Sequence, residues 1–160
     1  MYDLMIRLAA DLSVIVIALV AVYVLVSAVP NKYKFARYSE VLMAGLTAYL
    51  VAKLIASVYQ PASERPFEIA GQAAKASYLD NPGFPSDHAL FAMALVLAVW
   101  LGARRPRVAL VLFAITLVMC AGRVLAMVHT PLDVVGGLAI ACVGVVWYSA
   151  FQQKFSKKSS

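Results

Sequence analysis

The sequence predicts an all-α integral membrane protein, a bundle of about five transmembrane helices. Composition is the first reason: of the 160 residues, 63% are hydrophobic and 14% are charged, whereas a soluble domain carries about 25% charged residues. The second reason is that the apolar residues form long runs. The third is that most basic residues lie in the short segments between those runs, as a membrane topology requires.

Five apolar runs approach the roughly 20 residues that a membrane-crossing helix needs. They occupy residues 12–29, 39–59, 86–102, 108–123 and 131–151. No internal repeat divides the chain, so residues 1–160 are predicted to form one domain that ends in a basic tail at 152–160. Residues 1–10 are too polar to cross a membrane and are predicted to form an interfacial amphipathic helix, with a frayed terminus as the alternative.

The basic residues are divided unevenly between the two sides that five spans define. One side has a single acid, Glu40, and nine basic residues: Lys32, Lys34, Arg37, Arg104, Arg105, Arg107, Lys154, Lys157 and Lys158. Because basic loops remain in the cytoplasm, this side and the C-terminus are predicted to be cytoplasmic. The segments at 60–85 and 123–131 then lie outside. The net charge of +6 is thereby explained as a topology signal, and no nucleic-acid partner is expected.

This topology brings the two histidines of the chain to the same outer face, although they lie far apart in the sequence. Ionisable residues at membrane depth are costly and are therefore functional candidates. The candidates on this face are Lys53, Arg65, Ser86, His88, Arg123, His129 and Asp133. Cations, imidazoles and a hydroxyl suit phosphoryl transfer, in which fixed donors hold the negative phosphoryl oxygens. The sequence offers no carboxylate cluster for magnesium and no zinc-ligand spacing, so no metal or other cofactor is expected.

The two histidines are predicted to divide the chemistry between them. Asp133 follows His129 by four residues, so both lie on one face of any helix that contains them. The carboxylate would accept a hydrogen bond from one ring nitrogen and leave the other free to attack phosphorus. His129 is therefore the predicted nucleophile and His88 the predicted general acid. Ser86 is predicted to cap the third span, whose N-terminal N–H groups would then face the phosphate.

Several candidates also have a purely structural interpretation. Asp133 can close a capping box with Thr130, and Ser86 can be a cap and nothing more. Lys53 can snorkel to the interface, and the arginines can anchor lipid headgroups. Asp87 is interpreted first as a helix-start residue that favours the dipole, with direct catalysis as the alternative.

At these residues the sequence resembles the type 2 phosphatidic acid phosphatase superfamily. The three motifs of that family would be Lys53 with Arg65-Pro66, then Pro85-Ser86-Asp87-His88, then Gly122-Arg123-x5-His129-x3-Asp133. The third motif is specific, because both spacings and nearly all residue types match. The resemblance implies metal-independent dephosphorylation by an all-helical bundle. It also implies that His129 is the nucleophile, Asp133 its partner and His88 the acid, while Lys53, Arg65, Ser86 and Arg123 bind the phosphate.

Some positions depart from the general family pattern. Lys53 and Arg65 lie farther apart than the family usually has them, Asp87 stands where glycine is usual, and Gly122 where a serine usually precedes the arginine. The family also more often has one span more. The Pro-Ser-Asp-His sequence, Arg65-Pro66-Phe67 and the missing serine look most like the bacterial undecaprenyl pyrophosphate phosphatases.

The sequence thus predicts a lipid phosphatase of the bacterial inner membrane that cuts undecaprenyl or another polyprenyl pyrophosphate to the monophosphate through a phosphohistidine. Its lipid tail would enter sideways between helices. One alternative is a phosphatase for phosphatidic acid, phosphatidylglycerophosphate or lipid A. Another is a non-catalytic protein that binds or transports lipid headgroups. The His129–Asp133 spacing favours an enzyme, because binding alone needs no oriented imidazole.

Overall fold

The computed structural model describes residues 2–62, 64–78, 81 and 83–149, and all regular structure in these residues is helical. The helices are α1 (Asp3–Ala28), α2 (Asn31–Val58), α3 (Pro66–Ile69), α4 (Asp87–Gly102), α5 (Pro106–Leu125) and α6 (Pro131–Ser149). Four of them, α1, α2, α5 and α6, are long and apolar enough to cross a membrane. The predicted class, an all-α integral membrane bundle, is confirmed. The predicted basic tail at 152–160 lies outside the described residues.

The N-terminal segment is not separated from the first long helix. Helix α1 runs continuously from Asp3 to Ala28, with a π-helical turn at Leu8–Leu12. The segment expected as an independent interfacial helix instead supplies the first turns of α1. Of its apolar side chains, Ile6 packs in a small cluster with Phe67 of α3, whereas Leu4, Met5 and Leu8 are exposed. Whether these turns lie in the membrane interface stays a prediction.

Helix α2 begins earlier than the sequence predicts. The chain turns at Pro30 and is helical again from Asn31, first as a 3-10 turn and from Lys34 as an α-helix. The basic residues expected in a loop, Lys32 among them, therefore occupy the first turns of α2. Apolar patterning alone misses these turns because they contain lysine and arginine.

Helix α4 is the shortest of the five observed helices that correspond to the predicted spans. Its 11 α-helical and 5 π-helical residues cover about 24 Å at about 1.5 Å per residue, less than the roughly 30 Å of a hydrocarbon core. The helix nevertheless runs from one end of the bundle to the other. Asp87 lies with Arg123 at one end, and Gly102 lines a cavity with Arg37 and Arg104 at the other.

Helices α4 and α6 meet closely near their N-terminal ends. A Cβ atom on Gly137 would lie 2.5 Å from the carbonyl oxygen of Ser86, so only glycine permits this approach. The N–H of Ser86 donates to the carbonyl of Asp133 at 2.9 Å. The starts of α4 and α6 are thus held together at one end of the bundle.

Candidate active site

A small depression lies where α4 and α6 begin and α5 ends. It is lined by Arg65, Asn81, Pro85, Asp87, His88, Arg123 and His129. Four of the predicted site residues, the two histidines and the two arginines, are therefore brought together from separate segments of the chain. Ser86, Asp133 and Lys53 adjoin the depression without lining it.

Ser86 occupies the N-cap position of α4. The side chain is fully buried, and its Oγ accepts a long hydrogen bond from the N–H of Ala89 at 3.5 Å. The predicted cap is confirmed. Because Ser86 does not line the depression, its role as a phosphate ligand stays a prediction.

The first turn of α6 is closed by a capping box. The N–H of Thr130 donates to Asp133 Oδ2 at 2.7 Å, and the N–H of Asp133 donates to Thr130 Oγ1 at 3.2 Å. The same Oδ2 lies 3.6 Å from His129 Nδ1, which is longer than a hydrogen bond. Among the described residues, Nδ1 has no other partner. The Asp133 carboxylate therefore caps α6 and also faces the His129 ring, and its capping contacts are the shorter ones. Its role in orienting His129 stays a prediction.

His129 lies in the turn before α6 and is 5% exposed. Burial lowers the pKa of His129; the Asp133 carboxylate acts in the opposite direction, while Arg123 and Arg65 lower the pKa further. The imidazole is therefore held neutral near pH 7, with a lone pair available. Because Nδ1 faces Asp133, Nε2 on the opposite side of the ring is the nitrogen that can attack.

Arg123, in the last turn of α5, is 1% exposed. Its Nη1 donates to the carbonyl of Ser77 at 2.7 Å and to Asp11 Oδ1 at 3.2 Å. Its Nε is buried and has no partner among the described residues. A fixed guanidinium with an unused donor is suited to an anionic oxygen. Sequence reasoning missed Asp11 as the partner, although a lone acid near the start of an apolar run was a usable signal.

Arg65, just before α3, is fixed by the backbone of two other segments. Its Nη1 donates to the carbonyl of Val128 at 2.6 Å, and its Nη2 donates to the carbonyl and Oδ1 of Asn81, both at 3.0 Å. The guanidinium also lies 5.3 Å from the centre of the Tyr78 ring. Since Val128 immediately precedes His129, Arg65 holds the backbone next to the candidate nucleophile. No pattern in the sequence points to Asn81 or Tyr78 as its partners.

Lys53 forms an ion pair with Asp87 at the rim. Its Nζ lies 3.0 Å and 3.2 Å from the two carboxylate oxygens, and Asn81 Nδ2 donates to Asp87 Oδ2 at 3.2 Å. Lys53 thus reaches the site through Asp87, a pairing that sequence reasoning did not propose. Direct phosphate binding by Lys53 and catalysis by Asp87 stay predictions.

The depression itself is narrow. Its volume is about 10 Å³, roughly the room that one water molecule needs. A cavity of about 370 Å³ adjoins it, and Arg65 and Asn81 line both. The larger cavity thus lies directly beside the depression that contains the two histidines, and the two together offer the room for a phosphate group. Among the described residues, no three His, Cys, Asp or Glu side chains lie close enough together to hold a metal ion.

Comparison with known protein families gives a match over most of the chain. The PAP2 superfamily matches residues 34–157, whereas no curated protein and no solved structure matches the chain. Members of the PAP2 superfamily are phosphatases, and the superfamily suggests activity on lipid phosphates. The matched residues make up most of the chain and include every residue that lines the depression. The protein therefore belongs to the PAP2 superfamily.

Proposed function

We propose that this protein is a membrane phosphatase that cuts a polyprenyl pyrophosphate, such as undecaprenyl pyrophosphate, to the monophosphate without a metal ion. The observation that carries the proposal is the meeting of two buried arginines and two histidines in one depression. Displacement at phosphorus needs a free nucleophile, a proton donor and fixed positive charge on the phosphoryl oxygens. These four side chains supply all three.

In the first half of the reaction, Nε2 of His129 attacks the terminal phosphorus. A P–N bond forms, and the bond from phosphorus to the bridging oxygen breaks. His88, which takes up a proton when the negatively charged substrate binds beside it, gives that proton to the bridging oxygen, and the lipid monophosphate leaves. Arg65 and Arg123 hold the non-bridging oxygens throughout, as fixed donors that need no rearrangement.

In the second half, water attacks the phosphorus of phosphohistidine 129. His88, now neutral, accepts a proton from that water, and the P–N bond breaks. Inorganic phosphate leaves, and both histidines return to their starting states. The fixed arginines again hold the oxygens of the transferring group.

A lateral groove supports a lipid rather than a soluble substrate. The groove has a volume of about 580 Å³ and runs between α2 and α4. Its apolar wall consists of Val41, Leu42, Gly45, Leu46, Leu90, Phe91, Ala94 and Leu95, with Tyr49 beside them. Asp87 lines both the groove and the depression. A lipid chain in the groove would therefore place its headgroup beside His88.

The charge distribution supports an active site on the outer side of a bacterial inner membrane, with the C-terminus in the cytoplasm. Arg37, Arg104 and Arg105 line a cavity at the end of the bundle opposite the depression. Basic residues favour the cytoplasmic side. Single cysteines introduced by A62C and K32C, in a chain without its native cysteines, test this orientation. A membrane-impermeant thiol reagent should label A62C in intact cells and K32C only after lysis.

The proposal is tested with purified protein in detergent and a panel of phosphates. The panel contains a polyprenyl pyrophosphate, phosphatidic acid, phosphatidylglycerophosphate and a water-soluble phosphomonoester. We expect the largest kcat/KM for the pyrophosphate and little turnover of the soluble ester, with rates unchanged in excess chelator. A preference for a monoester lipid would replace the substrate assignment. Loss of activity in chelator, restored by magnesium, would contradict the metal-free reaction.

A further inference from the structure

Helix α1 packs directly against α5 beside Arg123. A Cβ atom on Gly122 would lie 2.9 Å from the backbone nitrogen of Ala10 and 3.0 Å from the carbonyl carbon of Ala9. Both neighbours are backbone atoms, so a side chain at position 122 would force the two helices apart. The glycine that stands where the resemblance leads one to expect serine therefore lets α1 approach the site.

The same stretch of α1 contains its π-helical turn, Leu8–Leu12. Such turns are rare and often occur at functional sites. Asp11 lies within this turn, and its Oδ1 is 3.2 Å from Arg123 Nη1. Arg123 is 1% exposed and the Asp11 side chain 26% exposed, so this ion pair is screened less than one on the surface.

Asp11 also holds the segment between α3 and α4, through Ser77. Its Oδ1 accepts from Ser77 Oγ at 2.8 Å, and its Oδ2 accepts from the N–H of Ser77 at 3.1 Å. The carbonyl of Ser77 accepts in turn from Arg123 Nη1 at 2.7 Å. Asp11, Ser77 and Arg123 thus form a closed ring of contacts between α1, this segment and α5. The ring occupies Nη1 of Arg123 and leaves Nε unpartnered.

We propose that Asp11 is a positioning residue of the phosphate site, which makes α1 part of the catalytic unit although it lies outside the matched residues 34–157. Asp11 fixes one edge of the Arg123 guanidinium so that its remaining donors face the phosphoryl oxygens. The proposal rests on the proposed function, since the rate that Asp11 affects is the rate of phosphate release.

The first test is D11N in the full-length protein, which keeps the shape of the side chain and removes its charge. A hydrogen bond to a charged group is worth enough for a loss in kcat of about 10- to 100-fold. KM should not rise, because removing a negative charge beside Arg123 does not weaken its attraction for phosphate. D3N is the matched control, since Asp3 lies on the same helix and pairs with Lys75 at 3.1 Å, away from the depression. Equal kcat in D11N and D3N would overturn the proposal.

The second test asks whether Asp11 acts through Arg123. In a double-mutant cycle with R123K, which lacks the guanidinium fork, the effect of D11N should shrink to about threefold or less. The same fold loss in both backgrounds would mean that Asp11 acts elsewhere, and would overturn the proposal.

Amide exchange gives a readout that needs no activity. The N–H of Ser77 should exchange faster in D11A than in D3A, because Asp11 is its acceptor among the described residues and alanine cannot replace it. Equal exchange in the two variants would mean that Asp11 does not hold Ser77. If the wild-type protein released phosphate from no member of the panel, the proposed function would fail, while exchange would still test the hold of Asp11 on Ser77.

Discussion

The two ends of the bundle differ in how deeply their basic side chains are buried. At the depression, Arg65 and Arg123 are 7% and 1% exposed, and each donates to a backbone carbonyl. At the other end, Lys32, Arg104 and Arg105 are exposed. An arginine in water costs the fold little, whereas a buried one is costly unless it is paired.

This difference separates two uses of positive charge. Exposed basic residues between apolar runs set topology, and their exact placement matters little. Buried arginines held by several fixed partners are placed to about an ångström, which is what stabilisation of a transferring group requires. Substitutions at the depression should therefore change the rate strongly, and substitutions at the other end should not.

The largest effect is expected from H129A, which removes the nucleophile. Phosphate release should fall by about 10³-fold or more. Acid quenching after brief exposure to labelled substrate should trap a phosphorylated wild-type protein and none in H129A. Release at the wild-type rate in H129A would instead favour a protein whose cations only bind headgroups.

A smaller but still large effect is expected from R123K, which sharpens the comparison between the ends. Lysine keeps the charge but loses the planar fork and its fixed hydrogen bonds. The loss in kcat/KM should be about 10²-fold, as for removal of an oriented donor. R105K at the exposed end makes the same chemical change and should leave kcat/KM within about twofold. Equal losses in the two variants would contradict the distinction.

The pH dependence of kcat/KM tests whether His129 reacts in its neutral form. His129 has to be neutral to attack, and burial lowers its pKa. Activity should therefore be retained below the ordinary histidine pKa of about 6.5 and fall only as the pH drops through the lowered value. Below that value, His129 is protonated and cannot attack.

D133N should move this acidic loss of activity to still lower pH. The Asp133 carboxylate raises the pKa of His129, so its removal should shift the acidic limb of the pH profile to lower pH. The rate on the plateau should also fall by about tenfold, because the ring loses its orienting partner. A limb that moved to higher pH would mean that it reports another group.

The sequence predicts most of what is local in this site. His129, Asp133 and the cap at Thr130 lie within one turn of each other, so helical spacing alone relates them. The apolar runs locate the helix interiors, and charge asymmetry assigns the loops to two ends. That Arg123 faces the same depression as His88 follows from a hairpin of two antiparallel helices.

The contacts that hold the arginines could not be predicted in this way. Asp11 meets Arg123 because α1 crosses α5 at Gly122, and a crossing point depends on packing over the whole bundle. Asn81 lies in an irregular segment, where no periodicity indicates which way a side chain points. The early starts of α1 and α2 were missed for a different reason, since charged residues in a terminal turn interrupt the apolar pattern without ending the helix.

A modest effect is expected from K53M at the rim of the depression. The ion pair with Asp87 is partly exposed, with side chains 41% and 30% exposed, and pairs of this kind contribute little. We expect kcat/KM to fall about two- to fivefold. Added salt should make this loss smaller, because exposed charges are screened. D87N should lose no more than K53M. A much larger loss in K53M alone would mean that Lys53 binds phosphate directly.

The smallest effect is expected at the exposed end, from the double variant R104Q/R105Q. Both side chains are exposed and lie at the opposite end of the bundle from His129, so kcat/KM in detergent should stay within about twofold of wild type. Their loss should instead appear in cells, as a fraction of chains inserted with reversed labelling of A62C. A changed rate in detergent, with insertion unaffected, would mean that the two ends are coupled through α4 and α5. In that case the exposed arginines would belong to the enzyme as well as to its topology.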